Sequence, residues 1–311
     1  MEENKDITAK NTEKTGGFIK SFLLDVLAGF GMGVAFIIPG FSGGSVAVIL
    51  GVYEKLISAI ADIFKDFKKS VVTLLPIFIG LVIGAVSLLY PLGWALSAFP
   101  LPTVSLFVGL AVGGMFSVTD NAKGSFKWYN VLSFAIPFLA VLLLSFAPTG
   151  ADVDLFNLDF GGYILLFVIG IIASAALVIP GISGSMIMLI LGYYNPIIKI
   201  ITEHFLKGQD MLVSFLVLAS TGLGIVVGFI GISVIMKKLI ANYKRGTYIA
   251  IIGFILGSVP TVFVSTAKDA GMTLTTLPAS PIHWVACVLL LLLGFALAFG
   301  FVLYGRKREK S

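Results

Sequence analysis

A proline–glycine turn set inside a long uncharged run occurs twice in this sequence, and few folds accommodate that pattern. The copies read PGFSGGS at residues 39–45 and PGISGSM at residues 180–186, 141 residues apart. At this offset Ile38, Pro39, Gly40, Ser42, Gly43, Leu50, Gly51 and Tyr53 meet Ile179, Pro180, Gly181, Ser183, Gly184, Leu191, Gly192 and Tyr194. Further on, Gly80, Gly84, Gly109 and Gly113 meet Gly224, Gly228, Gly253 and Gly257 at an offset of 144, so a duplication covers most of the chain. The predicted organisation is a tail over 1–20, a first repeat over 21–150, a second repeat over 151–305 and a tail over 306–311.

The uncharged runs lie at about 22–52, 71–91, 103–119, 129–147, 160–201, 211–236, 247–265 and 282–304. They approach or exceed the roughly 20 residues that cross about 30 Å of hydrocarbon as helix, and the alternating strands of a barrel are absent. Apolar residues make up 58% of the chain and charged residues 12%, against about 25% charged in soluble domains, which predicts an all-α polytopic membrane protein. The net charge of +5 does not indicate nucleic acid, because Lys and Arg sit at segment ends, where membrane topology places them. Cys287 is the only cysteine, which excludes an intrachain disulfide and a cysteine metal cluster, and no cofactor is expected. Residues 1–17 read as a disordered cytoplasmic tail, and the run from Phe22 is too long for a signal peptide.

The runs form two sets of four, and the first member of each set carries the turn and is too long for one crossing. If each broken segment returns to its own side as a re-entrant hairpin while the other six cross, 18 of the 21 basic residues fall inside. The acidic loop with Asp152, Asp154 and Asp159 then falls outside. A single crossing by the first segment would put Lys55, Lys65, Lys68 and Lys69 outside, against the positive-inside rule. A returning hairpin plus three spans crosses an odd number of times, so the second repeat begins outside and the repeats are predicted to be inverted. Both termini and the 53–70 loop are then cytoplasmic. Charge leaves hairpin depth open: the arms at 22–38 and 163–179 have 17 residues each, about 25 Å, enough for a ten-crossing version. Residues 54–69 carry apolar side chains at helical spacing and are predicted to form one interfacial helix.

Proline stops the incoming helix, and glycine permits a positive φ that exposes consecutive N–H groups. Ser42, Ser45, Ser183 and Ser185 are placed to cap the outgoing helices, and Gly43 and Gly184 are predicted to need positive φ and close ligand approach. The result is a helix N-terminus inside the membrane, with about half a positive charge and free donors, which binds an anion without a basic side chain. Gly40, Ser42, Gly43, Gly44 and Ser45 of one copy and Gly181, Ser183, Gly184 and Ser185 of the other are the candidate substrate-binding residues. Two such turns approaching from opposite faces suit a phosphate.

The paired blocks PGFSGGSVAVILGVYEKL and PGISGSMIMLILGYYNPI resemble those of the bacterial polyprenyl-phosphate transporter family PopT, over residues 20–305. The resemblance implies a multi-pass protein of the bacterial cytoplasmic membrane, a flippase rather than an enzyme. It would return undecaprenyl phosphate, the lipid carrier of cell-wall precursors, from the outer to the inner leaflet. The copies differ where Gly44, Ser45, Glu54 and Lys55 stand opposite Ser185, Met186, Asn195 and Pro196. Import moves negative charge toward a negative interior at about 2.3 kcal/mol per charge per 100 mV, so proton or cation coupling is expected. Asp25, Glu54, Glu203 and His204 are the candidates for it. Two other readings fit the residues. One is a small-anion channel or exchanger built on opposed helix ends. The other is an intramembrane serine protease or lipid phosphatase using GFSG or GISG, although His204 and His283 lie at segment ends.

Overall fold

The computed structural model describes residues 21–36, 42–124, 127–272 and 280–309, and every regular element among them is helical. Helix α1 is Ser21–Phe36. Residues 37–41, which include Pro39 and the candidate Gly40, lie outside the described residues. Then follow α2 (Gly43–Ile49), α3 (Tyr53–Ala61), α4 (Phe67–Ala98), α5 (Pro100–Gly114), the short α6 (Thr119–Ala122) and α7 (Trp128–Leu144). The second half repeats the series: α8 (Phe160–Val178), α9 (Gly184–Ile190), α10 (Tyr194–Lys199, continued as a π-helix over Ile200–Phe205), α11 (Met211–Asp269) and α12 (Pro281–Glu309).

Among the described residues five helices are long and apolar enough to cross a membrane, and two bent pairs, α2 with α3 and α9 with α10, make broken spans or re-entrant loops. Helix α11 is 59 residues long, roughly 90 Å at 1.5 Å per residue, far more than a bilayer core requires. Tyr243, with φ −132 and ψ 41, breaks it into two arms. Phe99, with φ −138 and ψ 61, makes the same break between α4 and α5, 144 residues earlier, and Pro100 restarts the helix at its first position.

The bends at α2–α3 (120°) and α9–α10 (109°) share one device. Gly51 (φ 72) and Gly192 (φ 79) take the left-handed conformation just past the helix end. The residue after each glycine donates back five positions, Val52 N to Ala47 O at 2.9 Å and Tyr193 N to Met188 O at 2.9 Å, so the free carbonyls are satisfied within the turn. Satisfied backbone is what a sharp turn at membrane depth requires.

The glycines pair helices in a pattern that repeats at the sequence offsets. Side chains at Gly80 and Gly84 on α4 would run into the backbone of Val26 and Phe30 on α1, while Gly224 and Gly228 on α11 stand against Phe167 and Ile171 on α8. The third pairing is exchanged between halves. Gly109 and Gly113 on α5 fit against Leu291 and Phe295 on α12, whereas Gly253 and Gly257 on the second arm of α11 fit against Phe134 and Phe138 on α7. Small residues let backbones approach where lipid gives no hydrophobic drive to associate. Helix α5 is the most enclosed candidate span at 61% buried, while the best windows of α4, α11 and α12 are 22% buried and turn residues such as Phe78, Val226 and Leu292 outward.

Polar contacts sort the loops into two ends. Lys55 pairs with Asp25, Lys237 with Asp62, and Lys244 with Glu54 at 3.8 Å. Arg245 donates to Ala122 O (3.0 Å) and Arg306 pairs with Asp120 (2.8 Å), so residues near 25, 54–62, 116–124, 237–245 and 306 share one end. At the other end, Gly150 N donates to Leu189 O and Val153 N to Gly192 O, both at 3.1 Å, Asn195 donates to Asp152 (3.2 Å), and Lys268 donates to Ser145 O (3.4 Å). Each broken segment thus starts and finishes at one end of the molecule.

One expectation is corrected. Residues 54–69 do not form a single helix: α3 stops at Ala61, and α4 starts at Phe67 with Asp66 Oδ1 accepting from Lys69 N at 3.3 Å. Tyr53, Ile57 and Ile60 are buried in the core, so α3 is packed rather than laid on a surface.

Candidate functional site

Ser42 stands at the N-cap of α2 with extended backbone (φ −107, ψ 128), and its carbonyl accepts from Ser45 N at 3.0 Å and Val46 N at 3.4 Å. The N–H groups of Gly43 and Gly44 precede that first intrahelical bond. The hydroxyl does not cap the helix, contrary to the sequence expectation. Ser42 is 5% exposed and Ser45 2%, and neither hydroxyl has a hydrogen-bond partner among the described residues. Buried polar groups left unsatisfied are uncommon in folded proteins. Two of them stand three residues apart on the first turn of α2.

The second copy is arranged differently. Ser183 has the same N-cap backbone (φ −100, ψ 122) and also fails to cap with its hydroxyl, which instead bonds Ser185 Oγ at 2.9 Å. Gly43 and Gly184 open their helices and are not among the positive-φ residues. In this turn the left-handed position is Gly181 (φ 88), where a side chain would also strike the Phe254 carbonyl.

The two copies meet. A methyl at Gly44 would lie 3.3 Å from both the Leu177 and Val178 carbonyls, at the end of α8 just before the second turn. Tyr53, buried at the start of α3, donates its hydroxyl to Val178 O at 3.1 Å and ties the halves together there. Sequence reasoning aligned Tyr53 with Tyr194 without assigning it this contact. A lone aromatic in an apolar run carries no signal of a backbone partner 125 residues away.

An apolar cleft of about 450 Å³ adjoins this junction. Gly44, Tyr53 and Val178 stand at its inner end, and Phe36, Phe78 and Val226, all strongly exposed, stand at the periphery. The cleft runs between α1, α3 and α4 of the first half and α8 and α11 of the second.

The candidate coupling residues are divided between the ends. Asp25, 6% exposed, pairs with Lys55, and Glu54 accepts from the Tyr248 hydroxyl with Lys244 nearby. Glu203 is exposed on the π-helix at the other end, where His204 bonds Asp210 at 2.9 Å and lies against the Phe156 ring. Outside the spans, hydrogen bonding to Lys237 holds Asp62 below the usual carboxylate range despite some desolvation. No group of three or more metal-ligating side chains occurs among the described residues.

A family model described as undecaprenyl phosphate translocase-like matches residues 32–276. A polyprenyl-phosphate transporter of Staphylococcus aureus is 31% identical over 277 residues, covering 88% of this chain and 93% of the relative. A polyprenyl-phosphate transporter of Vibrio cholerae is 26% identical over 328 aligned positions, covering 94% and 99%. No solved structure gives a significant match.

Proposed function

The chain belongs to the undecaprenyl phosphate translocase-like family, and from that premise we propose that it carries polyprenyl phosphate from the outer to the inner leaflet of the bacterial cytoplasmic membrane, recycling the carrier lipid of envelope synthesis. The phosphate is held where the two turns meet. Ser42 and Ser45 offer buried hydroxyls and Gly43 and Gly44 offer N–H groups, while the Ser183–Ser185 pair keeps one free O–H, since one hydroxyl donates to the other. The polyprenyl tail lies in the apolar cleft. The observation that carries this reading is that Ser42 and Ser45, whose hydroxyls have no partner among the described residues, flank Gly44, which lines an apolar cleft. Buried hydroxyls next to an apolar groove match a phosphate with a hydrocarbon chain. A small-anion channel has no use for the groove, and among the described residues neither His204 nor His283 hydrogen-bonds Ser42, Ser45, Ser183 or Ser185, the contact a serine hydrolase would need.

The two repeats are inverted in this proposal. The first begins at the end that holds Asp25 and the basic loops, the second at the end that holds Asp152, and the exchanged α5–α12 and α11–α7 pairings are what a two-fold relation between halves would produce. The basic end is cytoplasmic. Asp25 and Glu54, on the basic end with Lys55 and Tyr248, are the residues through which a proton or cation would offset the charge moved.

Proteoliposomes test the reading. Labelled polyprenyl phosphate should equilibrate between leaflets in the presence of the protein, with no accompanying chloride or inorganic phosphate flux. Anion flux without lipid movement would favour the channel.

A further inference from the structure

Apart from the cleft, a cavity of about 670 Å³ opens at the break in α11, at the end that holds the basic loops. Ile179 and Phe254 form part of its wall, the first being the residue before Pro180 and the second supplying the carbonyl that abuts Gly181. The cavity therefore begins beside the second turn. Asn130, in the first turn of α7, also lines it, is 6% exposed, and has no partner for Nδ2 among the described residues. Lys244 and Arg245 line it from the break, and no carboxylate does so among the described residues. Arg245 is fixed by donating to Ala122 O and Gly124 O, and Lys244 stands 3.8 Å from Glu54 and 6.0 Å from the Tyr248 ring centroid.

A buried amide donor without a partner and two cations, with no lining carboxylate, select for an anion. Position selects which anion: a space running from the second turn toward the basic end lies on the way a head group would take. We propose that this cavity is a second phosphate station, in which Asn130 Nδ2 and Lys244 Nζ hold a phosphomonoester between the paired turns and the membrane surface. The proposal rests on the transport reading above and adds a site to it. Ser133, on the cavity wall one helical turn after Asn130, is a place for a reporter.

The test uses the full chain with Ser133→Cys in a Cys287→Ala background, labelled in detergent by a small thiol reagent. Inorganic phosphate and geranyl phosphate are the two competitors. Either should slow labelling several-fold. Lower half-protecting concentrations of geranyl phosphate assign the station to a lipid head group, and equal concentrations assign it to phosphate as such. Adding Asn130→Ala with Lys244→Gln should raise the half-protecting concentration roughly tenfold, the loss expected when hydrogen bonds to a charged group are removed. Adding Ser42→Ala with Ser45→Ala instead should leave protection intact. Labelling that neither phosphate slows, or protection that survives the Asn130 and Lys244 changes, overturns the station. Failure of the turn reading would be seen separately, as lipid binding unchanged by the serine substitutions while protection at Ser133→Cys persists.

Discussion

Ser42 and Ser183 hold the same place in the two repeats with nearly the same backbone, φ −107 and ψ 128 against φ −100 and ψ 122. Around them the copies diverge. In the first, both hydroxyls are buried without a partner among the described residues, the neighbouring glycine abuts carbonyls of the other half, and Glu54 and Lys55 follow with an acid and a base. In the second, the serines bond each other, a left-handed glycine is wedged against Phe254, and Asn195 and Pro196 follow instead. The N-cap backbone is shared, and what differs is the surroundings: the first copy leaves its serine hydroxyls without a partner among the described residues, and the second pairs them with each other.

That contrast can be broken most forcefully at the glycines. Gly181→Ala must place a side chain at φ 88 and against a backbone carbonyl, which should lower stability by on the order of 1–3 kcal/mol or prevent folding. Gly43→Ala would meet only the Phe36 ring edge, at 3.0 Å, which can rotate away, so its loss should be clearly smaller. Thermal unfolding of the two variants in detergent ranks them. An equal loss would deny the positive-φ strain and the clash with the Phe254 carbonyl at Gly181.

A smaller effect of opposite sign should come from the hydroxyls. Ser42→Ala with Ser45→Ala removes two unsatisfied buried groups and should leave the empty protein as stable as before or slightly more so. Ser183→Ala breaks the bond to Ser185 and should cost about 1 kcal/mol. Melting temperatures that fall for the first pair and not for Ser183→Ala would reverse the assignment.

The least change is expected at Asp62, which faces Lys237, Lys65 and Lys69. Its folded value is depressed, so its contribution is complete above the unfolded carboxylate range near about 4 and disappears as pH falls through the lower folded value. Asp62→Asn should therefore be slightly less stable than the parent at neutral pH, and the gap should close in acid. A gap independent of pH would deny the Lys237 pairing that docks the α3 end onto α11.

The helical architecture, the broken segments and their 141-residue offset were legible because proline, glycine and charge mark them directly: Pro180 and Gly181, or the basic cluster from Lys55 to Lys69. The glycines at four-residue spacing announced close packing, though not that α5 and α7 would find partners in the opposite half. The bends at Gly51 and Gly192 could have been read from Leu-Gly followed by Tyr two residues on, recurring in both copies. Less could be read of the site. Serine before glycine reads as a cap, and whether the hydroxyl caps, pairs with a neighbour or stays free depends on packing that spans the two halves. Tyr53, Asn130 and Tyr248 acquire their roles from partners or cavities far away in the sequence, for which one sequence holds no local signal.

The most direct measurement is polyprenyl-phosphate binding in detergent by native mass spectrometry, comparing Ser42→Ala/Ser45→Ala with Ser183→Ala/Ser185→Ala and using monodispersity as the folding control. Losing two donors to a charged phosphate should weaken binding by the first variant roughly tenfold or more, while the second, which gives up one free O–H, should lose distinctly less. Binding unchanged in the first variant, or lost equally in both, would contradict the account of the first turn as the open half of the phosphate site.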